Sequence, residues 1–484
     1  MSNSRFVLSG LAFLILYVVS ACTPAVDQQA AGQLMPYPRN VIIFIGDGMG
    51  YNQVLAANYF EYGEAGVQPY EQADWLQLAS STYAAVTRLT EEDTVFGVSY
   101  NPRLAWQDAS YVLNGATGSA ESGTAMSTGV KTYSPSIGLG VFGDTLVHLS
   151  QAAKALGKST GIVSSVQLSH ATPASFAAHN HARSNYEEIA RYMFFNTQLD
   201  LIMAAGNPDY NNNGMPEELS GRFVGGREVW EQLKENDGRT YVLFEGDTLF
   251  VQDVDGDGQR DPWTVIQTRD EFQALAHGET PKRVLGLPQV HTTLNYGRGG
   301  SDEPMPFVVP LNENVPDLRE ITLAALNVLG QNPNGFFVMV EGGAIDWAGH
   351  GNHLGRNIEE QIDFNNSIKA AIEWVETNSS WDETLIIVTS DHETGYLTGP
   401  DHPEVVNAPV VNQGIGELPL GVWNSGGHTN QLVPFYAKGI GTELIELFAD
   451  ELDPARGPYI QHTEFAQAIF LMWGKPKIDI HMLK

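Results

Sequence analysis

Three apolar runs along the chain end in the same way. Val41 to Ile45, Phe336 to Val340 and Leu385 to Val388 are rich in Val, Ile and Phe, and each gives way abruptly to a small turn that carries acids. The turns read GDGMG with Asp47, EGGAIDWAGH with Glu341 and Asp346, and TSDHETG with Asp391 and His392. A strand with one wet face would alternate apolar and polar positions, so uninterrupted runs predict central strands of a parallel sheet, buried on both sides. Helical spacing lies between them. HLSQAAKALGK stops at Gly157, and NIEEQIDFNNSIKAAIEWVET places Ile358, Ile362, Ile368, Ile372 and Val375 on one stripe. This alternation predicts an α/β fold, a large central and mostly parallel sheet with helices on both faces. Ligands of such sheets sit at the carboxyl ends of the strands, where these acids fall.

Two regions depart from that rhythm. Residues 195–320 contain NPDYNNNGMPEE, DVDGDGQRD and a run rich in Pro and Gly, and read as an inserted, crown-type subdomain on the same sheet. At the N-terminus a weakly basic start leads into FVLSGLAFLILYVV and then VSAC, small residues before the only cysteine, Cys22. The pattern is similar to a bacterial lipoprotein signal. Residues 1–21 are then the signal, 22–38 a tether lipidated at Cys22, and 39–484 the folded domain; an ordinary signal peptide cut near Ala21 or Ala25 is the alternative. The expected protein is exported, a lipoprotein of the cell envelope held to the membrane only by its lipid.

With 484 residues and 43% apolar content the chain can build a large core. Its 57 acidic against 26 basic residues leave a formal charge of −31, which argues against a basic nucleic-acid groove. An acid that follows a strand is ordinarily a helix cap or turn residue. Three such sites, two with a histidine close by, point instead to metal. Asp346 and His350 are four apart and share one face of a helical turn, Asp391 and His392 are adjacent at a strand end, and His428 precedes another apolar run. Carboxylate with imidazole suits zinc; Glu341, Asp47 and the Thr172 hydroxyl are oxygen donors that suit magnesium. In GATGSAESGTAMSTGVKTY, Ser119 stands at an expected helix start, where backbone N–H groups favour an anion, although alone the stretch would pass for a polar cap.

Together, IGDGMG, TGSAESGTAMSTGVKTY, HATPASFAAHNHAR, EGGAIDWAGH, VTSDHETG and GGHTN resemble the motifs of the alkaline phosphatase family, in family order and across most of the chain from Asn40. The resemblance implies a hydrolase of small phosphomonoesters, of broad specificity, and a homodimer. It implies one zinc on Asp346, His350 and His428, a second on Asp47, Asp391 and His392, and magnesium on Glu341, Thr172 and Asp47. Ser119 is then the nucleophile that becomes phosphoserine, and Arg183 clamps the phosphate. Charge agrees: four carboxylates would repel one another in an empty cavity, whereas three divalent ions and Arg183 leave about three net positive charges to attract an anion.

Departures are visible. Gly118 replaces the acid that family members usually carry before the nucleophile, and Glu121 is the nearest substitute. His170 and Trp347 resemble the pair of marine and cold-active bacterial members; the resemblance puts His170 near the third ion, where it should retune magnesium binding, and Trp347 near the phosphate, where it should ease product release. In DVDGDGQRD, Asp253, Asp255, Asp257 and Asp261 with Gly258 resemble a calcium loop without its closing glutamate, since Thr264 stands twelfth; a solvated acidic turn is the alternative. Asp209, Asn211 and Asn213 are a weaker echo. His179, His181 and His353 are expected to be hydrogen-bonding or surface residues, and Lys131 structural. The competing functions are a phosphodiesterase of the same superfamily and a surface lipoprotein that binds phosphate or metal without turnover. No Cys/Ser-x-Pro-x-Arg motif surrounds Ser119, which argues against a sulfatase.

Overall fold

The computed structural model describes residues 37–88, 94–96, 99–235 and 237–475. The signal segment, Cys22 and all but the last two residues of the tether lie outside them. The predicted apolar runs become strands β1 (Asn40–Gly46), β7 (Phe336–Gly342) and β8 (Thr384–Thr389), with β1 in the middle. Register is set by apolar partners: Ile43 faces Met339 on one side and Ile387 on the other. The other members of the 11-stranded sheet are β2 (Leu76–Ser81), β3 (Ser159–Gln167), β4 (Leu201–Ala205), β5 (Thr264–Ile266), β6 (Val284–Gly286), β9 (Val433–Gly439), β10 (Glu451–Asp453) and β11 (Gly457–Gln461). Their order is β10-β11-β2-β9-β8-β1-β7-β3-β4-β6-β5. From β8 to β5 every pairing is parallel; antiparallel pairs occur only where β9 meets β8 and β2, and where β10 meets β11.

Because side chains alternate across a strand, β1 feeds two cores. Val41, Ile43 and Ile45 pack with Ala120 and Met126 of α1 (Ser119–Thr128) and with Phe465 and Ile469 of α6 (Glu464–Met472). Ile42 and Phe44 pack with Ile321 and Leu326 of α3 (Leu318–Leu329) and with Phe364 and Ile368 of α5 (Leu354–Asn378). All five β1 side chains are fully buried, each contributing about 1.5–3 kcal/mol. That two-sided burial is what holds the β1 carboxyl end, and Asp47 after it, at the centre of the molecule.

Residues 195–320, expected as an insertion, supply β4, β5 and β6 of the main sheet and a separate hairpin, Tyr241–Phe244 with Asp247–Phe250. Strands β5 and β6 have three residues each, too short to show a period in the sequence. Among the described residues no helix is long and apolar enough to cross a membrane.

Candidate active site

Each strand that predicted a site delivers its acid to one edge. Asp47 follows β1 directly, and Gly48 turns the chain with φ +77°. A Cβ on Gly48 would lie 2.7 Å from the Asp346 backbone, so glycine is required for the β1 turn to pack against the next acid-bearing turn. Glu341 is the last residue but one of β7, and the chain then coils into α4 (Ala344–His350), which carries Asp346 and His350 on one face as their spacing predicted. Asp391 and His392 follow β8. Ser390 pins their turn to the β1 turn: its hydroxyl donates to the Gly46 carbonyl (2.6 Å) and accepts from Met49 N–H (3.0 Å). His428 belongs to a two-residue strand paired with Glu393 and Thr394. Ser119 is the first residue of α1, and Thr172 sits in α2 (Ala171–Ser175) after β3.

The predicted groups converge. His350 Nε2 and His428 Nε2 lie 3.4 and 3.6 Å from Asp346 Oδ1 and 3.1 Å from each other. Their opposite nitrogens face the Gly426 and Thr117 carbonyls at 2.7 and 2.8 Å, which fixes the Nδ1–H tautomer and leaves both Nε2 lone pairs aimed at one point. His392 Nε2 is 3.2 Å from Asp391 Oδ2 and 3.5 Å from Asp47 Oδ1. Thr172 donates to Asp47 Oδ2 at 3.3 Å, and Ser164 donates to Glu341. Ser119 Oγ stands 3.2 Å from His392 Nε2.

Three sets offer donor atoms within 4.8 Å of one another: Asp47 with Asp391 and His392, Asp346 with His392 and His428, and Asp47 with His170 and Glu341. The last brings His170 within reach of the expected magnesium ligands, beside the third ion where the resemblance put it. Asp47 Oδ1, Asp391 Oδ2 and Glu341 Oε1 are buried and accept no hydrogen bond among the described residues. A buried oxygen of this kind is costly unless a cation answers it, so the donor set fits divalent ions.

Electrostatics agree. Burial, then the charge of Asp346, pushes Asp391 up to about 8, and burial drives Glu341 up to about 7. Asp47 is raised well above the usual carboxylate range by burial and by Asp391, Asp346 and Glu341. Burial holds His392 and His170 well below the usual imidazole range, aided by Arg183, and lowers His428. The acids resist ionising while the imidazoles resist protonation, the state expected of a ligand cluster that needs cations to settle its charge.

The cleft in front of this cluster, about 460 Å³, is lined by Ser119, Asp346, His350 and His428, by Arg183 and His170, and by Tyr296, Trp347 and Gly351. An Arg183 Nη2–H donates to His170 Nε2 at 3.2 Å, and the His170 and Trp347 rings lie 5.9 Å apart. Glu121 folds back so that its Oε1 accepts from Gly118 N–H at 2.6 Å. A Cβ on Gly118 would meet that carboxylate at 3.0 Å, so Glu121 fills the space a side chain at 118 would take.

Outside the cleft, Lys282 Nζ binds Asp255 and Asp261 at 2.6 Å each and Asp257 at 3.3 Å. Asp253, Asp255 and Asp261 still offer mutually close oxygens, with Asp257 outside that group. The acid loop thus holds an internal ammonium where the sequence suggested calcium. Asp209 is occupied by Arg227, Trp230 and Lys234. His353 caps α5 by accepting from Arg356 N–H, and buried Lys131 donates to the Tyr83 carbonyl. Sequence reasoning missed Ser164, Thr394 and Tyr296. Thr394, whose hydroxyl donates to Asp346 Oδ1 at 2.6 Å, sits two residues after His392, and Ser164 interrupts an apolar strand; both left a faint signal. Tyr296 left none.

The alkaline phosphatase family model matches residues 38–414. Alkaline phosphatase 3 of Bacillus subtilis is 28% identical over 404 residues, spanning 82% of this chain and 70% of that protein. The Escherichia coli alkaline phosphatase is 28% identical over 75% of this chain and 72% of its own length. The solved alkaline phosphatase of the Antarctic bacterium TAB5 superposes with a TM-score of 0.60 at 24% identity, covering 91% of this chain and all of that one. With a match this extended, and with the motif residues meeting at one strand-end cleft, the chain belongs to the alkaline phosphatase family.

Proposed function

We propose that this protein is a metal-dependent phosphomonoester hydrolase of broad specificity that works through a phosphoserine at Ser119. The observation that carries the reading is the Ser119 hydroxyl, 3.2 Å from His392 at the edge of overlapping buried donor clusters. Asp346, His350 and His428 would hold one zinc; Asp47, Asp391 and His392 would hold a second; Glu341, Thr172 and Asp47, with His170 in reach, would hold magnesium. When bound, these ions supply the positive charge that lets the four carboxylates ionise together and the Lewis acidity that phosphoryl transfer draws on.

The chain's own groups do the rest. Ser119 stands at the N-terminus of α1, where unpaired N–H groups favour the phosphate. Its Oγ loses a proton and forms a bond to phosphorus as the ester oxygen departs in line and takes up a proton. Water then displaces Ser119 Oγ and releases inorganic phosphate. Arg183, at the cleft wall and aligned by His170, holds two phosphate oxygens with its planar fork. Export as a Cys22 lipoprotein and assembly as a homodimer belong to the same proposal.

The decisive experiment is Ser119→Ala on the zinc- and magnesium-loaded protein. It should abolish hydrolysis of p-nitrophenyl phosphate and the acid-stable phosphoenzyme, while zinc content by mass spectrometry stays at the wild-type level. Turnover retained in that variant, or faster cleavage of bis(p-nitrophenyl) phosphate than of the monoester by the wild type, would refute the reading.

A further inference from the structure

The cleft wall is chemically divided. Ser119, Arg183, His170 and the Asp346 group are built to meet an anion, but Tyr296 and Trp347 have nothing to offer a phosphate beyond one hydroxyl and one indole N–H. They are nonetheless set with care. Trp347 lies between Asp346 and His350 on α4 and is only half-buried, so part of its ring is open to the cleft. Tyr296 meets it edge to face, centroids 6.2 Å apart and planes at 84°, the arrangement that aromatic quadrupoles prefer.

Tyr296 comes from a distant loop, and that loop is stapled down. Two residues on, Arg298 is 3% exposed and donates to both oxygens of Glu359 at 2.9 Å and to the carbonyls of Asn295, Val309 and Pro310. Gly297 N–H donates to Thr293 Oγ1 at 2.7 Å. The Tyr296 hydroxyl rests beside Gly351, where a Cβ would come within 2.9 Å of it; glycine at the end of α4 leaves the room this ring needs. A surface tyrosine whose ring merely covered a gap would not require a buried ion pair beneath it and a vacancy opposite it.

We propose that Tyr296 and Trp347 form a preorganised aromatic wall for the alcohol half of the substrate, so that the enzyme favours phosphomonoesters of flat aromatic alcohols over those of small polyols. This rests on the phosphomonoesterase reading above and deepens it. Tyr296 is a specificity-determining residue: it touches the leaving group and takes no part in bond making. A rigid wall gives its contact with little ordering cost at binding, and because the wall is held by Arg298 and Glu359 it does not depend on the substrate to form.

The test compares kcat/KM for 1-naphthyl phosphate and for glycerol 2-phosphate, using the metal-loaded protein. Within one preparation the ratio of the two is independent of the fraction of enzyme that is folded and loaded, so a variant that is partly misfolded still reports. Tyr296→Ala should lower the naphthyl-to-glycerol ratio about 3- to 10-fold, the size of one aromatic contact, and Tyr296→Phe, which keeps the ring, should hold the wild-type ratio. A wild-type ratio in Tyr296→Ala would overturn the wall, as would a fall in Tyr296→Phe equal to that in Tyr296→Ala, which would assign the effect to the hydroxyl. Hydrolysis of neither ester by the wild type would overturn the phosphomonoesterase reading, and the wall with it.

Discussion

Removing the ions should make this protein unstable in alkali. Asp391 stands at about 8 against 3.8 for a free aspartate, and Glu341 at about 7 against 4.5. Both are fully buried. In both the folded value lies above the unfolded one, so between these limits the folded chain keeps a proton that the unfolded chain has lost. Stability therefore falls as pH rises from about 4 and levels off once pH exceeds about 8. At roughly 1.4 kcal/mol per pH unit of difference, Asp391 costs about 6 kcal/mol and Glu341 about 3 kcal/mol when fully ionised. The two groups share a cavity, so the figures overlap; even the larger alone rivals the typical total of about 5–15 kcal/mol. Divalent ions supply the missing countercharge and should flatten the dependence. The assay is thermal unfolding from pH 5 to pH 9 of protein stripped by chelation, beside protein reloaded with zinc and magnesium. The stripped form should lose about 5–8 °C in Tm toward pH 9 and the loaded form far less. Parallel Tm curves for the two forms would refute the argument, because the carboxylates would then not be paying a charge penalty that metal relieves.

Two further outcomes are expected. Gly48→Ala places a methyl 2.7 Å from the Asp346 backbone at φ +77°; it should cost about 2 kcal/mol or more and lower the zinc retained after dialysis, measured by atomic absorption. Arg298→Met removes one of the two cations on the buried Glu359 carboxylate, leaving Arg356 and the Phe307 N–H to answer it, and should cost about 3–5 kcal/mol in urea unfolding of the metal-loaded protein.

Much of this site was legible in the sequence because its signals are local. An apolar run ending in an acid reports both a buried strand and a residue at its carboxyl end, since the same few residues set both. The four-residue step from Asp346 to His350 reports a shared helix face for the same reason, and Ser119 at the start of α1 followed from its small neighbours. What stayed hidden depends on contacts between distant segments. Ser164 meets Glu341 only because β3 pairs with β7. Lys282 reaches the Asp255–Asp261 loop from some twenty residues away, a pairing that the local pattern of acids does not reveal.

The sequence by itself determined the fold class, the three acid-bearing strand ends and the residue types gathered there, because hydrophobic period and turn chemistry act over a few residues. Tertiary structure alone decided that β5 and β6 join the main sheet, that Glu121 fills the space above Gly118, and that Tyr296 faces Trp347. Each of those is settled by packing and by charge pairing between segments far apart in the chain, which no local pattern encodes.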